Sequence, residues 1–102
     1  MVKSDSLRKR YILFEFRGQQ TSEESLKRAL YAEALRFFGE LGLSYAALKL
    51  VGYDPAKKTG MLRCERAHLD KVLGFLALLG EFDSKPARIK TLKTSGTIRS
   101  LG

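Results

Sequence analysis

Side chains along this chain alternate between two apolar repeats, and the order of those repeats restricts the fold more than any other feature. At residues 10–17 the repeat is two: Ile12, Phe14 and Phe16 face one way, Tyr11, Leu13, Glu15 and Arg17 the other. That is the pattern of a half-buried strand. After Gly18 and the polar pair Gln19 and Gln20 the period changes. Leu26, Leu30, Ala34, Phe37, Phe38 and Leu41 recur at helical spacing, with Lys27, Glu33, Arg36 and Glu40 mostly off that stripe. Thr21 with Glu24 three residues later forms the signature of a capping box at the helix start, and Gly42 suits the position that ends it.

A repeat of two returns over residues 44–53. Ala46, Leu48 and Leu50 form one face, and Tyr45, Ala47, Lys49, Val51 and Tyr53 the other. Turn chemistry follows at Asp54, Pro55 and Gly60. Residues 60–66 then read as a strand with Leu62 and Cys64 inward, and Met61, Arg63 and Glu65 outward. A second helix carries Leu69, Val72, Leu73, Leu76 and Leu79 on its apolar stripe. Gly74 inside it costs roughly 1 kcal/mol against alanine, a cost that close packing on the sheet would explain. Gly80, Asp83, Ser84 and Pro86 break the chain before a last strand at residues 87–94, whose alternation slips between Ile89 and Leu92 as at a β-bulge. The order β-α-β-β-α-β in one domain, residues 1–102, predicts an α+β fold of the ferredoxin-like, RRM-like kind. It has a four-stranded antiparallel sheet in order 4-1-3-2 with both helices on one face.

That topology decides what the charge means. The chain carries a formal net charge of +8, all of it in its ends. Residues 1–10 set Lys3, Arg8, Lys9 and Arg10 against Asp5; residues 84–102 hold Lys85, Arg88, Lys90, Lys93 and Arg99 with no acid; the body between is neutral. Solvated tails would account for such ends, and so would a surface for phosphates. In the expected sheet the first and last strands are antiparallel neighbours, so the start of one lies beside the end of the other and the two clusters merge. The candidate RNA contacts are Arg8, Lys9, Arg10, Lys90, Lys93, Thr94, Ser95, Gly96, Thr97 and Arg99. Cations there neutralise phosphates, while Gly96 and its hydroxyl neighbours offer close backbone approach and hydrogen bonds.

The residues point to no catalytic constellation. His68 is the one histidine and has no nucleophile placed beside it by any motif; an exposed position in the first helical turn is expected for it. Cys64 is the one cysteine, inward on its strand as a small apolar residue, which excludes an internal disulfide and suits a reducing cytoplasm. No Cys or His pair has metal-ligand spacing. Acylphosphatases share this size and expected fold but need a phosphate-cradling loop between first strand and first helix. Residues 16–21 have one arginine and lack that loop. Base stacking across the open sheet face is also disfavoured, since Tyr11 has no aromatic counterpart on the third strand. Leu13, Val51, Met61 and Leu92 leave that face partly apolar, which suits another protein or a second copy. No run approaches the ~20 apolar residues of a membrane span.

Four segments carry a family resemblance: RKRYILFEF at 8–16, GELGLSYAALKLVGYD at 39–54, GMLRCERAHLDKVLGFLALL at 60–79 and TSGTIRSL at 94–101. They are similar, in order and over nearly the whole chain, to the small component 2 subunits of archaeal ribonuclease P and their eukaryotic Pop-type counterparts. Family members often continue into further basic or helical sequence, whereas this chain ends at Gly102. The resemblance implies a non-catalytic subunit of a ribonucleoprotein that removes the 5′ leader of precursor tRNA. The expected partners are the ribonuclease P RNA, precursor tRNA indirectly, and a larger TIM-barrel protein subunit, as two copies of each. This chain would bind no cofactor, with magnesium held on the RNA where hydrolysis occurs. The competing readings are a generic ribosomal or other RNA-binding scaffold and a small-molecule regulatory dimer of ferredoxin-like domains.

Overall fold

Ile12, Phe14 and Phe16 form the centre of the core, and the rest of the fold is arranged to cover them. The computed structural model describes residues 8–82 and 85–96. These three side chains leave strand β1 (Lys9–Arg17) on one face, each less than 5% exposed. Helix α1 (Glu23–Ala46) brings Leu26, Ala29, Leu30 and Ala34 onto that face, and helix α2 (Leu69–Leu78) brings Val72, Phe75 and Leu76. Strands β2 (Lys49–Asp54), β3 (Thr59–Glu65) and β6 (Arg88–Ser95) complete a sheet in order β2-β3-β1-β6, with all three pairings antiparallel. Two dipeptides, β4 (Glu81–Phe82) and β5 (Lys85–Pro86), pair as a small separate ribbon. The expected α+β sheet, its strand order and the adjacency of its first and last strands are all present.

Local departures from the sequence reading have identifiable causes. The helix cap is Ser22, whose hydroxyl accepts from the Ser25 backbone N–H at 3.2 Å; Thr21 does not cap it. The break in α1 falls at Gly39, with φ 75°, and not at Gly42. Only glycine adopts that backbone without a Cβ penalty, and the chain resumes helix beyond it through Ala46. Residues 44–46 are therefore helical, and Ala47 ends the helix in the left-handed region with its N–H on the Leu43 carbonyl. Leu41, expected on the inner stripe, is 66% exposed because it lies past the break.

Strand β2 contains a bulge that the alternation did not reveal. Leu50 pairs with Leu62 and Gly52 with Met61, so Val51 is an extra residue and stays exposed. The bulge moves Tyr53 from the outer face to the core, where its ring lies 6.3 Å from Phe14 and 8° from parallel. Asp54 closes the next turn by accepting from the Ala56 and Lys57 backbone N–H groups, as its type predicts.

Gly74 does not pack against the sheet: a Cβ there would meet nothing within 4 Å. The residue thus carries the entropic cost of glycine in a helix without a compensating contact. Replacing Gly74 by alanine is expected to stabilise the domain by about 0.5–1 kcal/mol, read as a raised urea midpoint at constant slope. A lowered midpoint would show that the helix surface there is not open.

Candidate nucleic-acid interface

Strand β6 is one edge of the sheet, and its register against β1 determines where the cations point. Arg88 lies opposite Arg17, Ile89 opposite Phe16, Lys90 opposite Glu15 and Thr91 opposite Phe14. The register then shifts, so that Lys93 lies opposite Leu13, Thr94 opposite Ile12 and Ser95 opposite Tyr11. Leu92 is the extra residue, at the position where the sequence alternation slips. Directly opposed residues share a face. The bulge therefore puts Lys93 and Ser95 on the open face with Arg88 and Lys90, whereas unbroken alternation would have sent them to the helix side.

The two cationic segments meet as the topology implied. Arg10, the second residue of β1, lies opposite Cys64 on its β3 side, and its guanidinium lies over Gly96, where an added Cβ would stand 3.3 Å from Nη1. The same guanidinium donates to the Lys9 carbonyl at 2.8 Å. Arg10 and Gly96 therefore meet at one end of the sheet, on the face that Arg10 shares with Cys64, while Lys93 and Ser95 follow on the open face with Thr94 between them. Arg8 lies exposed just before β1. Lys90 sits further along β6, and Thr97 and Arg99 fall outside the described residues.

Lys9 is engaged elsewhere. Its ammonium donates to Glu65 Oε2 at 2.7 Å, across the β1–β3 pairing and away from β6. That hydrogen bond holds the Glu65 carboxyl below the usual range against the opposing effect of desolvation, with the charges of Lys9, Arg8 and His68 adding to it. Register also assembles a row that sequence reading missed. Lys49 is opposite Arg63 and Arg63 opposite Tyr11, which in turn faces Ser95. The signal was present in the alternation of β3, but strand pairing was needed to bring the residues together. His68, expected to be exposed, is half-buried in the 3₁₀ turn Arg66–His68 that leads into α2.

Cys64 has no exposed surface, and burial, with the Glu65 charge adding, pushes its thiol up to about 11 despite Lys9 and Arg10 nearby. A thiol so placed holds almost no thiolate near neutral pH. Native protein is expected to resist alkylation by iodoacetamide and to be modified fully in denaturant, as read by mass; rapid modification of the folded protein would contradict the core placement. Among the described residues no group of three His, Cys, Asp or Glu side chains stands close enough to hold a metal ion. No helix among them is long and apolar enough to cross a membrane. The arrangement offers cations, hydroxyls and a glycine at a strand end, a chemistry of phosphate docking.

The chain is similar to known proteins over nearly its whole length. The Rpp14/Pop5 family profile matches residues 10–102. Ribonuclease P protein component 2 of Pyrococcus furiosus is 37% identical over 95 residues, covering 92% of this chain and 79% of the relative. The proteins of the same name from Archaeoglobus fulgidus and Methanocaldococcus jannaschii are each 38% identical over 93 residues, covering 90% of this chain and 83% and 68% of theirs. A chain in the cryo-EM structure of yeast Ribonuclease MRP superposes with a TM-score of 0.73 at 14% identity, covering 89% of this chain and 76% of that one, which shows a shared fold.

Proposed function

The chain belongs to the Rpp14/Pop5 family, and from that premise we propose that it is a non-catalytic protein subunit of ribonuclease P, supporting the catalytic RNA in removing the 5′ leader of precursor tRNA. The observation that carries this reading is the contact of Arg10 with Gly96 where the first and last strands run side by side, with Lys93 and Ser95 close by on the same strand. Phosphates of the RNA dock there, with Thr94 and Arg8 extending the contact; Thr97 and Arg99, outside the described residues, are expected RNA contacts from their chemistry alone. Lys9 is paired with Glu65 beside it. Neutralising phosphates lets a folded RNA bring its own strands together, and hydrolysis belongs to magnesium on that RNA.

The TIM-barrel subunit of the same enzyme, with two copies of each protein, supplies the protein partner in a cytoplasmic particle. Exposed Leu35, Phe37, Leu41 and Leu78 on the helices, the last 74% exposed, favour a protein contact on the side away from the open sheet face. Binding to ribonuclease P RNA across a salt series tests the reading. With about four phosphates neutralised, log affinity against log salt is expected to slope by roughly −3. A slope near zero, or a thermal shift with small molecules in place of RNA affinity, would favour the regulatory-dimer reading.

A further inference from the structure

The bulge at Leu92 does more than turn Lys93 to the open face: it makes an evenly spaced ladder. Counted on β1, the open-face partners of β6 fall at Arg17, Glu15, Leu13 and Tyr11, every second residue, although β6 itself spaces them unevenly as Arg88, Lys90, Lys93 and Ser95. Each rung is about 7 Å from the next. Three successive rungs carry a cation on β6, and no acid occurs anywhere in that strand.

The far end of this ladder holds charges that the fold leaves unbalanced. Arg88 lies directly opposite Arg17, and like charges so placed destabilise a sheet. The nearby carboxylate is Glu15, and it is bonded to Arg17 at 3.1 Å. Arg88 and Lys90 have no ion-pair or side-chain hydrogen-bond partner among the described residues. A sheet edge this cationic resists pairing with a second copy of the same strand. Its complement is a polyanion whose charges repeat at a spacing close to that of the rungs, and successive phosphates of an extended ribose-phosphate strand do so.

We infer that one strand of RNA runs along the open face of β6 from Ser95 to Arg88, with Arg88, Lys90 and Lys93 each meeting a successive phosphate and Arg17 closing the far end. This rests on the RNA reading above and extends the footprint by about 14 Å beyond Lys93.

The test uses the full chain and a fluorescent single-stranded oligouridylate, with affinity measured across a salt series alongside thermal melting. Arg88→Ala is expected to flatten the salt slope by about 0.7, the value of one single-strand phosphate contact. Its melting temperature should hold or rise, because a like-charge pair is removed. Arg88→Lys should keep the slope. An unchanged slope for Arg88→Ala, while Arg10→Ala with Lys93→Ala still flattens it, would overturn the ladder and leave docking at the strand end. No flattening by either variant would overturn the RNA reading itself. Equal competition by polyglutamate, lost in the same Arg88→Ala variant, would also overturn the ladder, showing an edge for acidic peptide.

Discussion

Replacing Phe14 by alanine is expected to remove about 3–5 kcal/mol of stability, the usual cost of deleting a phenyl ring from a core. Phe14 has no exposed surface and sits mid-way along β1, a strand paired on both sides. Its ring lies against Tyr53 and over Gly60, its partner on β3. A Cβ at Gly60 would stand 2.6 Å from the Phe14 ring and 2.9 Å from the Gly52 carbonyl oxygen, so a glycine is required for the ring to reach this position. The two residues are therefore coupled. Gly60→Ala should destabilise strongly in the parent and less in the Phe14→Ala background, where part of the clash is gone. The Gly52 carbonyl keeps the remainder. For a domain whose total stability is on the order of 5–15 kcal/mol, Phe14→Ala would take a large share. Urea unfolding measures it, and a loss under about 1 kcal/mol would mean that this ring is not the centre of the core.

The largest functional effect is expected from Arg10→Ala combined with Lys93→Ala. Arg10 lies near the start of β1 beside Gly96, Lys93 lies on β6 opposite Leu13, and neither is a member of the core. Removing two cations from a phosphate site should flatten the salt dependence of RNA affinity by about one to two units. The lost hydrogen bond from Arg10 to the Lys9 carbonyl costs about 1 kcal/mol, and both side chains lie outside the core, so the variant should remain folded. Circular dichroism and melting separate the two effects. Arg63→Ala provides a contrast: it removes a cation from the middle of the open face, beside Tyr11 and Lys49, in a charge-balanced stretch. A smaller change in slope is expected there, and an equal or larger one would reverse the ranking of the two regions.

Much of this could be read from the chain because strands report themselves locally. The alternation of Ile12, Phe14 and Phe16, and of Leu62 and Cys64, was enough to orient β1 and β3, and the slip before Leu92 disclosed its bulge. What escaped was set by tertiary context. Val51 breaks no local pattern, so the bulge that buries Tyr53 needed the pairing of β2 with β3. Gly39 and Gly42 are equally good helix breakers in sequence, and the break falls at the first, with φ 75°. Residues 44–46 are helical despite their alternation, with Ala46 fully buried. At the interface, the charges were legible and their pairing was not. Lys9 looked like its neighbours Arg8 and Arg10 until β3 placed Glu65 opposite it. Arg88 was absorbed into a general positive charge, and only the register set it against Arg17.

Reconstituted cleavage is the most direct test of the whole account. Ribonuclease P RNA and its other protein subunits would be assayed on precursor tRNA at low magnesium, with no addition, with this chain, and with its Arg10→Ala, Lys93→Ala form. The expected result is faster 5′-leader removal when the chain is added, with most of that gain lost in the folded double variant. Equal rates for the two forms, or no gain from the chain at all, would contradict it.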